Sequence, residues 1–92
     1  MNHFVVCYDI RDKRRLNRVY RQSLQHAIPI QYSVFYLFGS QQQLNAMMAA
    51  IDDEIDSATD DVRAYAVLPL EQTSIIGRPL MPDGIWMAEF PK

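Results

Sequence analysis

Asp9 stands directly after the apolar run Phe4-Val5-Val6-Cys7-Tyr8 and directly before a dense set of cations, Arg11, Lys13, Arg14 and Arg15, with Arg18 and Arg21 beyond. A carboxylate at the end of a buried strand is held by its sheet yet reaches the surface, where its oxygens suit a hard divalent cation. Guanidinium groups hold phosphate oxygens through paired, charge-assisted hydrogen bonds. An acid and arginines in this order point to metal-assisted chemistry, or at least binding, on nucleic acid.

The charge balance constrains that reading. The net charge of -2 argues against indiscriminate binding to nucleic acid. Its distribution allows a local basic face. Six of the nine Lys and Arg residues lie between Arg11 and Arg21, and six of the eleven acids lie between Asp52 and Asp61. The one cysteine, Cys7, cannot form an internal disulfide and reads as a reduced, buried thiol. Neither His3 nor His26 is placed by sequence to activate it. No apolar stretch approaches the ~20 residues of a membrane helix, and no signal peptide is visible, so the expectation is a cytoplasmic protein without membrane contact.

The elements that must position Asp9 follow from periodicity. His3 to Tyr8 reads as a strand buried on both faces. Asp12 is a candidate N-cap for a helix from Lys13 to about His26, with Leu16, Val19, Tyr20, Leu24 and Ala27 as its apolar stripe and Arg14, Arg18, Arg21 and Gln25 on another face. Pro29 excludes further helix. Ile28 to Phe38 is extended, as one bent strand or as two short ones with a kink near Gln31 to Ser33. Ser40 is a candidate N-cap for a second helix, Gln41 to Asp56, buried through Leu44, Met47, Met48, Ile51 and Ile55. The acids Asp52, Asp53, Glu54 and Asp56 crowd its C-terminal end, which the helix dipole disfavours, and read as a solvated face. Val62 to Leu68 is a further strand. Residues 73–77 and Ile85 to Phe90 are extended candidates separated by the turn Pro82-Asp83-Gly84.

This order predicts an α+β fold of the ferredoxin-like βαββαβ kind in a single domain spanning 1–92, with a core over about 1–70 and an extension over about 71–92. An extra C-terminal strand must pair with an exposed sheet edge, which favours a symmetric homodimer.

Three stretches together resemble the CRISPR-associated protein 2 family. They are Tyr8-Asp9-Ile10, then Asp12-Lys13-Arg14-Arg15 with Asn17-Arg18-Val19, then Gln31-Tyr32-Ser33-Val34-Phe35. The tail from Ile75-Ile76-Gly77 is similar to that family's C-terminal extension. The resemblance implies that Asp9 of each subunit faces its twin and that the pair holds one Mg²⁺, or another divalent cation such as Mn²⁺, in a catalytic site. It implies phosphate-binding roles for Arg14, Arg15 and Arg18, and Arg11 joins them as a nucleic-acid-binding candidate. Tyr8 and Phe35 would neighbour the site, or serve equally as core, and Ser33 would support it through a hydrogen bond. The implied function is a metal-dependent endonuclease on single-stranded RNA or double-stranded DNA, acting with the CRISPR integrase subunit in spacer acquisition. A non-catalytic scaffold that bridges integrase dimers on duplex DNA is the alternative, and a toxin-like messenger RNA endoribonuclease a third. The chain departs from the family pattern at Lys13 and Pro29, where an acid and a basic residue are common. These changes shift weight from cleavage towards binding.

Overall fold

The computed structural model describes residues 1–68. The expected extended pieces at 73–77 and 85–90, and the extension from 71 onward, lie outside the described residues. The elements are β1 (Asn2–Asp9), α1 (Lys13–Leu24), β2 (Ile28–Gln31), β3 (Val34–Gly39), α2 (Gln41–Asp52) and β4 (Asp61–Val67). The strands form one sheet in the order β2-β3-β1-β4, with every neighbouring pair antiparallel. Each helix therefore crosses over between two parallel strands that a third strand separates. Strand β1 lies inside the sheet, and its last residues sit against the start of β4.

Alternation along the strands divides the sheet into two faces. Phe4, Val6, Tyr8, Phe35 and Leu37 pack against Val19 of α1 and Leu44, Met47 and Ile51 of α2 in one core. His3, Val5, Cys7, Val34, Tyr36 and Phe38 take the alternate positions, on the face away from the helices.

The extended segment resolves into two strands joined by Tyr32 and Ser33. Ser33 has φ 61°, the left-handed region, and this reverses the chain within two residues. Pro29 is tolerated because β2 ends the row of strands, so its missing N–H breaks no ladder bond on that side. The pairing of β2 with β3 is irregular between Pro29 and Gln31.

Both expected caps are present. The Asp12 carboxylate accepts the Arg15 backbone N–H at 2.9 Å. Ser40 and Gln43 form a reciprocal capping box, with bonds of 2.7 Å and 3.1 Å. A Cβ on Gly39 would run into the Gln43 side chain that closes this box. Both helices end earlier than periodicity alone predicts. Helix α1 stops at Leu24, because Pro29 drives Ile28 extended and the chain must turn first. Helix α2 stops at Asp52, where further carboxylates would sit on the negative end of the dipole.

The buried stripe of α1 is rotated from the expected one. Leu16, Val19 and Ser23 face the core, while Tyr20 and Leu24 remain about half exposed. Ser23 is tolerated there because its hydroxyl donates to the Val19 carbonyl at 2.8 Å. The stripe of α2 matches its pattern, with Leu44, Met47 and Ile51 buried and Met48 and Ile55 partly so.

Candidate functional site

Asp9 ends β1 with its side chain in solvent, directly opposite Asp61 on β4. Like charges facing one another across an antiparallel pair repel. Each is answered by a nearby guanidinium, Arg11 Nη2 at 3.3 Å from Asp9 and Arg63 Nε at 2.9 Å from Asp61. The Asp9–Arg11 contact is exposed on both sides and holds Asp9 only weakly.

Behind Asp9 the site is rigid. Tyr8 is buried, its ring lies 6.1 Å from that of Phe35 at 27°, and its backbone N–H donates to the Ser33 carbonyl at 3.1 Å. Ser33 therefore supports the end of β1 through its backbone, and its left-handed conformation turns that carbonyl towards Tyr8. Burial, reinforced by the neighbouring Tyr20 and Tyr32 phenols, pushes the Tyr8 phenol up to about 12. It is a hydrogen-bonding group at neutral pH, not a base. Phe35 has no exposed surface and packs behind Tyr8. Cys7 is only partly buried, short of the buried thiol its apolar run predicts, and its thiol is pushed up, first by burial and then by the Asp61 charge, which disfavours the thiolate.

The arginines fall into two groups. Arg15 is held by Asp60, with Nε 2.9 Å from Oδ2 and Nη2 3.2 Å from Oδ1. Arg18 pairs with Glu54 at 3.0 Å. Arg14 is exposed, and among the described residues no ion pair reaches it, Lys13 or Arg21. The acidic segment is thus only partly the solvated face its pattern predicts. Asp52 and Asp53 are exposed, whereas Glu54 and Asp60 bind α1.

Asp60 is the residue that sequence reasoning overlooks. Its carboxylate, closed off from solvent, also accepts the backbone N–H groups of Arg11 and Asp56, each at 2.9 Å. Arg15 first, and these backbone bonds with it, hold the Asp60 carboxyl well below the usual carboxylate range. Asp60 thereby fixes the loop between Asp9 and α1. Nothing in its local sequence separates it from the acids around it.

Among the described residues no group of three or more His, Cys, Asp or Glu side chains could hold a metal ion. Asp9 supplies hard oxygen donors at an exposed, firmly supported position. That donor set fits a divalent ion that keeps most of its waters, provided a second carboxylate joins it.

The interior strand β1 thus ends in an exposed carboxylate, and the helix that follows carries cations that no ion pair among the described residues reaches. Residues 1–73 match the family model for CRISPR associated protein Cas2. The chain is 41% identical over 91 residues to CRISPR-associated endoribonuclease Cas2 1 of Nitrosomonas europaea, covering 99% of this chain and 87% of that protein. It is 42% identical over 83 residues to CRISPR-associated endoribonuclease Cas2 2 of Thermodesulfovibrio yellowstonii, covering 89% and 91%. The chain belongs to the CRISPR-associated protein Cas2 family. Its fold is similar to that of Streptococcus pyogenes Cas2, with a TM-score of 0.68 at 22% identity over 82% of this chain and 99% of that one. It is also similar to a chain of a partial Cas6-RT-Cas1–Cas2 complex, with a TM-score of 0.63 at 21% identity over 100% and 96%.

Proposed function

We propose that this chain is a metal-dependent endonuclease of CRISPR adaptation, working as a symmetric ferredoxin-like homodimer. The observation that carries the reading is the position of Asp9, exposed at the end of an interior strand and backed by Tyr8, Ser33 and Phe35. Asp9 of both subunits would hold one divalent ion, Mg²⁺ or Mn²⁺. When bound, such an ion polarises a phosphate oxygen and lowers the pKa of a coordinated water. The chain's own residues bind and orient. Arg14 and Lys13 engage backbone phosphates, Arg15 and Arg18 stiffen the helix that presents them, and Arg11 neutralises Asp9 until metal replaces it. Relatives named endoribonucleases support RNA as a substrate, with duplex DNA as the second. The apolar sheet face away from the helices, with Phe38 and Tyr65 about half exposed, supports pairing with a second copy.

The test is cleavage of single-stranded RNA and of duplex DNA with Mg²⁺ or EDTA, beside Asp9→Asn. Cleavage that requires Mg²⁺ and vanishes in the variant is expected. Undiminished cleavage by Asp9→Asn removes the metal role.

A second reading is favoured by Lys13, Arg14 and Arg21, which no ion pair among the described residues reaches. A dimer with these cations exposed can hold duplex DNA and bridge CRISPR integrase subunits without cutting, and the similar chain in the Cas1–Cas2 complex is consistent with that role. On this reading Asp9→Asn retains duplex binding, whereas Arg14→Glu loses it, with a steep dependence on salt.

A further inference from the structure

Between α1, the end of β1 and the β2–β3 turn lies a recess that neither the carboxylate nor the dimer reading uses. It encloses about 300 Å³ and is lined by Tyr8, Leu16, Asn17, Tyr20, Tyr32 and Ser33. Three of its six walls are phenol rings. Tyr20 is half exposed and tilts against Phe35 at 5.7 Å and 58°, which fixes its plane from behind. Tyr32 is 80% exposed on the β2–β3 turn, so its ring is free to close over an occupant. Asn17 and Ser33 add an amide and a hydroxyl, each able both to donate and to accept. Among the described residues no acid lines the space.

Cations flank Asn17 along α1. Lys13 lies one helical turn before Asn17, and Arg21 one turn after, with Arg14 three residues before. All three are exposed, and no ion pair among the described residues occupies them. An aromatic slot between cations spaced along one helix is how proteins hold single strands, with phosphates on the cations and a base on the rings.

We propose that this recess takes one unpaired nucleobase of a nucleic-acid strand, stacked between Tyr20 and Tyr32 with its edge toward Asn17 and Ser33. A stacked base inside a duplex cannot enter a space closed by Tyr8 and Leu16, so the recess selects single-stranded or splayed strands. The inference rests on the reading that the chain handles nucleic acid, and it adds a subsite for a single base on the helix side of the sheet.

The full chain, in EDTA, is titrated with a short single-stranded oligonucleotide carrying one fluorescent adenine analogue, and separately with the matching blunt duplex. Stacking is expected to quench the analogue. Tyr32→Ala should weaken single-strand binding about tenfold, the scale of one lost base stack, and change duplex affinity less than twofold. Asn17→Ala should weaken single-strand binding and leave the duplex unchanged, while Lys13→Glu should weaken both. Tyr32 is largely in solvent, so its loss does not threaten the fold. Unquenched fluorescence, or equal single-strand affinity in wild type and Tyr32→Ala, overturns the inference. So does a Tyr32→Ala chain that sediments as a monomer while the wild type is a dimer, since the recess would then belong to the contact between copies. Asp9→Asn separates the two readings. If it cleaves like wild type while Tyr32→Ala still loses single-strand affinity, the nuclease reading falls and the recess stands. If it is inactive while Tyr32→Ala binds normally, the recess falls and the nuclease reading stands.

Discussion

Tyr8 and Asp9 are neighbours in sequence with opposite surroundings. Alternation along β1 sends the phenol into the core, while the strand ends just as the carboxylate reaches solvent. The Tyr8 phenol is pushed up to about 12 by burial, above its ordinary value of 10. A folded value raised in this way adds stability that is fully present below pH 10 and is lost as the pH rises toward 12. The loss should amount to about 1–2 kcal/mol after allowance for solvent screening. Tyr8→Phe should flatten denaturant midpoints over that alkaline range. A variant that keeps the wild-type alkaline slope would place the titration elsewhere.

At the scale of elements, the loop from Asp9 to α1 is held from outside itself. Asp60, at the entrance to β4, binds the Arg11 backbone and the Arg15 side chain together. Its carboxyl is depressed in the folded chain, so its contribution is present above the ordinary carboxylate value near 4 and is lost as pH falls below it. Asp60→Asn should lower the melting temperature at neutral pH and remove part of the acid-induced loss below pH 4. It should also reduce cleavage or binding that depends on Asp9, because the loop behind that carboxylate loosens. Thermal melts from pH 3 to 7 test the first effect, and an unchanged acid slope would refute it. The second helix depends on a cap rather than on a long-range anchor. Gly39→Ala would displace Gln43 from the capping box and should cost about 0.5–1 kcal/mol in chemical denaturation.

For the whole molecule, the two sheet faces divide the work. One is filled by the helices and forms the core. The other carries Val5, Tyr36 and Phe38, and no helix among the described residues lies over it. If a second copy covers that face, Phe38→Glu should shift the chain from dimer to monomer in sedimentation at micromolar concentration, with little change in helix content, since Phe38 is already more than half exposed. A Phe38→Glu dimer as tight as wild type would exclude this face from the contact. If two Asp9 residues share the ion, the same monomer should also lose Mg²⁺-dependent cleavage.

The sequence by itself determined the order of elements, both helix caps and the position of Asp9 at a strand end. These are local matters, set by side-chain alternation, by Asp12 and Ser40 at helix starts and by Pro29 at a boundary. It left open whether the extended segment was one strand or two. The fold decided that through the left-handed Ser33, whose carbonyl is taken by Tyr8 of another strand. It also decided which cations remain available. Arg14 and Arg15 are indistinguishable in a list of neighbours, yet Arg15 is bound by an acid 45 residues away and Arg14 has no such partner among the described residues. The burial of Ser23 in place of Leu24, and the recess among Tyr8, Tyr20 and Tyr32, arise the same way. Each depends on the angle at which a helix meets a sheet, and that angle is set by side chains distant in the chain, which no local pattern records.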